Sequence, residues 1–211
     1  MTKEVEVTSE PSNLPIQLKY ILRYAERVIV DGSSFSFQLP LELFGIPRKS
    51  YVLREDVIDF CNMQKVKTLS MVAYIMYLYS LIIDLNKVLK YVLVDPSLIS
   101  TGHSTREIRA RNLCSGLMTS KQDQLVVVPY NLAALTIFQS QKNLNKTRKT
   151  TFWKAIKGTV ECGYYVMRYM HEIVSKDTNI ITDAIDRRNS YSQLELDEIR
   201  VEWTEFLTRY I

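Results

Sequence analysis

Leu69 to Ile83 is a run of fifteen residues without a charge, whose polar groups are Ser70, Ser80 and the hydroxyls of Tyr74, Tyr77 and Tyr79. It falls short of the ~20 apolar residues that a membrane-spanning helix needs. Such a run must be covered by protein, so a buried core helix over Leu69 to Asp84 is expected. The rest of the chain has to supply the cover. Its 211 residues suffice for one domain with a sizeable core, and 46% apolar with 24% charged residues is ordinary for a globular protein.

The remaining elements follow from periodicity. Residues 1 to 13 read as a flexible polar tail with no apolar signal-peptide core. Leu18, Ile21, Leu22, Ala25, Val28 and Ile29 recur at helical spacing behind Pro15, and Asp31-Gly32-Ser33-Ser34 stops that helix. Phe35 to Lys49, with Pro40, Gly45 and Pro47, reads as irregular connection. Arg54 to Cys61 reads as a short helix. Tyr91 to Val94 and Leu125 to Val128 read as short buried strands. Ser104 and Glu107 form a capping-box pair before a helix with Ala110, Leu113, Cys114, Leu117 and Met118 on one side. Ser192 and Glu195 cap a last helix, whose face carries Leu196, Ile199, Trp203, Phe206 and Tyr210. Residues 132 to 157 have no clear period.

Cys61, Cys114 and Cys162 are widely spaced and odd in number, without a CxxC pair or a metal-ligand spacing. This points to a reducing, intracellular compartment, nucleus or cytoplasm, and implies no metal or cofactor. Cys162 stands at the start of a helical pattern in which Tyr165, Val166, Tyr169, Met170, Ile173 and Val174 share a face. A thiol in a first helical turn faces outward-pointing N–H groups and the positive end of the helix dipole, which favour thiolate. The same stripe equally describes a packed core cysteine. By either reading, Cys162 is expected at the helix N-terminus and largely buried.

The segment Glu161-Cys162-Gly163-Tyr164-Tyr165-Val166-Met167-Arg168-Tyr169-Met170 resembles the nucleophile segment of the Ulp/sentrin-specific cysteine peptidases, and most of all their plant transposon-associated versions. Those enzymes process or deconjugate SUMO-type, ubiquitin-like modifiers. The resemblance extends to Tyr51–Phe60, Val94–Ser97 and Leu125–Asn131, so that it covers the chain from about Phe44 onward. It implies an α+β, papain-like fold, helix-rich with a small sheet, over residues 44–211, preceded by an N-terminal helix and connection over 14–43. It also implies Cys162 as nucleophile and a SUMO-type modifier as partner.

The same resemblance predicts a His-Trp pair after the Pro-Tyr-Asn strand, an Asp on the next strand and a Gln shortly before the cysteine. Here Asn131 runs into Leu132-Ala133-Ala134, and no His or Asp occurs from Leu132 to Glu161. This copy reads as internally deleted, with too few residues between Asn131 and Cys162 for two further strands, so the sheet is expected to be incomplete. Of the two histidines, His171 is nine residues beyond Cys162, half a turn out of phase and roughly 13 Å along the axis. His103 lies in a Ser-Thr-Gly-His-Ser turn far upstream. Gln139 and Gln141 stand too far before the cysteine for the family's oxyanion position. The expected function is therefore a modifier-directed cysteine peptidase with impaired catalysis, or a non-catalytic relic that keeps a binding surface.

Net charge is +4, too small to imply nucleic acid as a partner. Lys142, Lys146, Arg148, Lys149, Lys154 and Lys157 nonetheless cluster, interrupted by Phe152 and Trp153, and read as a solvated basic face.

Overall fold

The structure is a computed structural model that describes residues 14–30, 32–44, 48–99, 105–119, 124–130, 134–139, 148–152, 162–175 and 191–211. In chain order these form α1 (Ile16–Arg27), β1 (Ser34–Leu39), α2 (Leu41–Phe44), β2 (Arg48–Leu53), α3 (Arg54–Cys61), α4 (Thr68–Asp84) and β3 (Tyr91–Leu93). There follow α5 (Pro96–Ile99), α6 (Arg106–Thr119), β4 (Leu125–Tyr130), β5 (Ala134–Gln139), β6 (Arg148–Phe152), α7 (Cys162–Ser175) and α8 (Gln193–Thr208). The architecture is α+β, helices with two small sheets.

The apolar run becomes α4, and it is the hub. Met71 to Ile75 are all 0% exposed, and the helix touches α3, α5, α7, α8, β2 and β3. Each large apolar side chain so buried contributes about 1.5–3 kcal/mol relative to exposure. α1 covers the outside of this layer, packing Leu18, Ile21, Leu22 and Ala25 on α3 and α8. Its stop is as expected: Gly32 takes φ 78°, a left-handed conformation that glycine adopts without a Cβ penalty. None of the described helices is long and apolar enough to cross a membrane.

Among the described residues of 35–49, regular structure replaces the expected irregular connection. β1 pairs antiparallel with β2 in the register Phe35↔Val52, Phe37↔Ser50. The sequence Ser-Phe-Ser-Phe-Gln-Leu alternates exposed and buried along all six residues, a period of two that outweighs the nearby prolines because Pro40 follows the strand rather than interrupting it. Phe35, Phe37 and Leu39 join the main core with α1, α4, α7 and α8. Segment 14–43 therefore shares one hydrophobic core with the elements that follow.

The second sheet runs β3-β4-β5-β6, with β3 parallel to β4 and the other neighbours antiparallel. β4 is buried on both faces. Leu125 and Val127 face the main core, while Val126 and Val128 pack with Val94 and Ile99 in a second cluster. β5 and β6 correct the expectation of a sheet with no room for two more strands. β5 takes six residues and β6 five, so both strands fit within the interval. β-branched and aromatic residues in Thr136-Ile137-Phe138 and Thr150-Thr151-Phe152 favour extended backbone.

The helix ends follow local chemistry. Ser192 and Glu195 form the expected box: Ser192 Oγ accepts from Glu195 N at 3.3 Å, and Ser192 N donates to the Glu195 carboxylate at 2.9 Å. α6 is held instead by Thr105, whose Oγ1 accepts from Ile108 N at 3.4 Å; Ser104 lies outside the described residues. Of the expected apolar side of α6, Ala110 and Cys114 are exposed and Leu113 half-buried, where the helix packs on the short α5; the side chains of Leu117 and Met118 lie outside those described.

Trp203 ties this layer together. It is 0% exposed, stacks on Phe60 at 4.0 Å between ring centroids, and donates its indole N–H to Ser70 O at 2.9 Å. Urea denaturation should show Trp203→Ala losing about 3–5 kcal/mol, through cavity formation. Ser192→Ala, at an exposed cap, should lose only about 1 kcal/mol.

Candidate functional site

Cys162 is the first residue of α7, as the helical pattern predicts. It is half-buried rather than largely buried, because the helix end projects its first residue to the rim of the core while the next turn goes under. The apolar stripe behind it is fully realised: Tyr165, Val166, Tyr169, Met170, Ile173 and Val174 are all buried. Burial extends to the other faces as well. Gly163, Tyr164, Met167 and Glu172 are covered too, since α7 lies against α4, α8 and β5.

A helix enclosed in this way needs partners for each polar group. At its C-terminus Tyr91 Oη donates to Ile173 O at 2.7 Å, and Lys87 Nζ donates to Val174 O at 3.0 Å and Ser175 O at 3.4 Å. A cation on the last carbonyls also complements the helix dipole. Along its length, the Glu172 carboxylate accepts from Tyr191 Oη at 3.1 Å and lies 3.6 Å from Arg168 Nε. Arg168 pairs in turn with Glu198 of α8 at 2.6 Å. At its N-terminus, Tyr164 Oη donates to the carbonyls of Phe60 and Gln64 at 3.1 and 2.9 Å.

His171 belongs to this structural set. Its Nδ1 lies 3.0 Å from the Glu202 carboxylate, which also accepts from Tyr74 Oη at 2.8 Å. The ring is thus engaged between α4 and α8, two and a half turns beyond Cys162, and cannot serve the sulfur as base. His103 and Gln141 lie outside the described residues, as do Lys142, Lys146, Lys154 and Lys157; Gln139 closes β5, while Arg148 and Lys149 stand in β6. No group of three or more His, Cys, Asp or Glu with metal-site geometry occurs among the described residues.

The upstream segments that share the resemblance hold structure. Asp95 is 2% exposed, pairs with Arg48 of β2, and accepts from Ser97 N at 2.8 Å. Arg48 also donates to Ser97 Oγ at 2.9 Å, so Val94–Ser97 ties β2 to the end of β3. In Tyr51–Phe60, Asp56 accepts from Leu53 N at 3.2 Å and pairs with Lys67 at 2.8 Å. Lys87, Tyr91 and Glu202, which hold α7, carry no sequence signal that singles them out. Gly163 does: a glycine inside a helical pattern loses about 1 kcal/mol of helix propensity relative to alanine, which is tolerated where a neighbour must come close.

No protein-family model, curated protein or solved structure matches the chain.

Burial leaves a titration signature around α7. It pushes the Tyr91 hydroxyl and the Cys61 thiol each up to about 12. It also raises the hydroxyls of Tyr74, Tyr77, Tyr164 and Tyr191, with the Glu202 charge adding to Tyr74 and Tyr77 and the Glu172 charge to Tyr191. These groups stay protonated in the folded chain at pH values where the unfolded chain, with thiols near ~8.5 and tyrosines near ~10, releases protons. Their contribution is full below those unfolded values and is lost as pH rises through the folded ones. The urea midpoint should be flat from about pH 7 to 8 and fall from about pH 9 upward. A midpoint that rose or stayed level to about pH 11 would contradict this.

Proposed function

We propose that this chain is a degenerate cysteine peptidase of the ubiquitin-like-modifier type, with a papain-like arrangement in which Cys162 stands in the nucleophile's place. It binds a SUMO-type modifier, in the nucleus or cytoplasm, and turns over poorly or not at all. The observation that carries this reading is Cys162, half-buried, as the first residue of a helix packed on α4, α8 and β5. Such a position offers a sulfur to a ligand from a helix seated in the core, which is an arrangement nucleophilic catalysis uses. The motif Glu161–Met170 supports the class of substrate by resemblance alone.

The ancestral step is attack of the Cys162 thiolate on the carbonyl after the modifier's terminal Gly-Gly. An acyl-enzyme forms, the leaving amine departs with a proton, and water releases the modifier. A histidine base takes the thiol proton and returns it to the leaving amine. Among the described residues, the one histidine, His171, is committed to Glu202. The segment that should carry the base, Leu132 to Glu161, has neither His nor Asp. Loss of base and orienter together removes a factor on the order of 10⁴ or more from a triad enzyme.

Purified protein should therefore show no cleavage of a SUMO-type precursor above a Cys162→Ala control. A modifier carrying an electrophilic C-terminus should still label Cys162 slowly, because an electrophile needs no leaving-group proton. Robust turnover that vanishes in Cys162→Ala would restore a working peptidase. Absence of both labelling and binding would remove the modifier from the reading.

A further inference from the structure

The first turn of α7 rests in part on the end of α3 and the α3–α4 turn, residues 60–67. Gly163 lies so close to it that an added Cβ would fall 2.5 Å from Val66 Cβ and 2.7 and 3.3 Å from the Val66 methyls. Real Cβ atoms do not approach that closely, so the helix reaches Val66 only because residue 163 is glycine. One residue on, Tyr164 is 0% exposed, packs its ring 5.0 Å from Phe60, and donates to the carbonyls of Phe60 and Gln64 on either side of the turn. The two residues directly after Cys162 are therefore both seated on this turn.

The turn is itself stiff. Gln64 N donates to Asp59 O at 2.8 Å, and Met63 adopts the left-handed φ of 54° that closes the reversal. Lys67 Nζ lies 2.8 Å from Asp56 and 2.9 Å from Asp59, fastening the far end of the turn back to α3. Arg200, 2% exposed on α8, donates to Cys61 O at its near end. A rigid support contacting only the first turn of a helix sets where that turn's first side chain stands.

We propose that Val66 and Tyr164 are positioning residues for Cys162: the α3–α4 turn grips Gly163 and Tyr164 and thereby fixes the place and direction of the sulfur. This inference rests on Cys162 being the modifier-directed nucleophile, but its grip on the sulfur is measurable without a modifier. A positioning role predicts loss of reactivity at the sulfur with intact modifier binding. A purely structural role predicts loss of stability with unchanged reactivity in the folded protein.

The test uses the full chain in a Cys114→Ser background, which removes the exposed thiol; Cys61 is 0% exposed and its thiol is pushed up to about 12, so it stays silent. Gly163→Ala, Tyr164→Phe and the double variant Gly163→Ala/Val66→Gly are compared, with Tm recorded for each. Labelling by a SUMO-type modifier with a C-terminal vinyl sulfone is resolved into maximal rate and half-saturating concentration, and iodoacetamide is run in parallel. A displacement of about 1 Å at a reacting atom can cost up to about 10²-fold. Gly163→Ala and Tyr164→Phe should lower the maximal rate at least about tenfold with an unchanged half-saturating concentration, and Val66→Gly should restore the rate to Gly163→Ala by removing the colliding atoms. If Gly163→Ala does not fold, Tyr164→Phe, which keeps the ring and loses only the hydroxyl, decides. Unchanged maximal rates in folded variants, or no recovery in the double variant, overturn the inference. If the wild-type chain takes iodoacetamide but never the modifier probe, the modifier reading falls, and the second-order iodoacetamide rates decide the positioning: they should change in Gly163→Ala and Tyr164→Phe and recover in the double variant, and unchanged rates overturn it.

Discussion

Enclosure of α7 is the constraint on which the other features depend. A helix buried over most of its surface has little water to fall back on for its polar groups. Its last carbonyls must meet Tyr91 and Lys87, its one buried carboxylate must meet Tyr191 and Arg168, and its imidazole must meet Glu202. Apart from Arg168, which is on α7 itself, those partners come from β3, the loop before it, the segment leading into α8, and α8 itself. Fixing them fixes how the sheet and helices sit around α7. The apolar α4 makes this possible, since only a helix without charges over fifteen residues can line one whole side of another buried helix.

The two ends of α7 are treated differently, and the difference has chemical meaning. The C-terminal end takes three donor contacts, two of them from the Lys87 cation. The N-terminal end is gripped from below by the α3–α4 turn, yet leaves Cys162 half-exposed at the rim. A helix clamped at both ends and open at one tip is suited to presenting a single side chain. It does not supply a proton acceptor. The histidine that α7 carries is spent in the structural pairing with Glu202, on a different side of the helix from the cysteine. The described residues thus place Cys162 at the rim and hold the one described histidine away from it.

Much of the fold was legible in the residue pattern. α3 and the span of α4 came from periodicity and apolar run length, the α8 cap from Ser192 and Glu195, and β4 from four consecutive apolar residues that had to be buried on both faces. The β1–β2 hairpin was legible too, in the strict alternation of Ser34 to Leu39, but Pro40, Gly45 and Pro47 masked it. β5 and β6 were not, because their segment mixes basic and apolar residues without a period and is organised by pairing of β5 to β4 and of β6 to β5. At the site, the position of Cys162 was readable; its half-exposure was not, since the same stripe fits a cysteine just under the surface or one at its edge.

The sequence by itself determined which segments had to be covered and where a thiol would meet a helix N-terminus, because both follow from short-range spacing and hydrophobicity. It also determined that residues 132 to 161 contribute no histidine or aspartate to any site. Only the tertiary structure decided what α7 rests on. Val66 and Gly163 are nearly a hundred residues apart in the chain, as are Gln64 and Tyr164, and Tyr91 and Ile173 are separated almost as far. Contacts at such separation depend on how whole elements dock, and docking is set by the summed shape and burial of every face rather than by any local pattern.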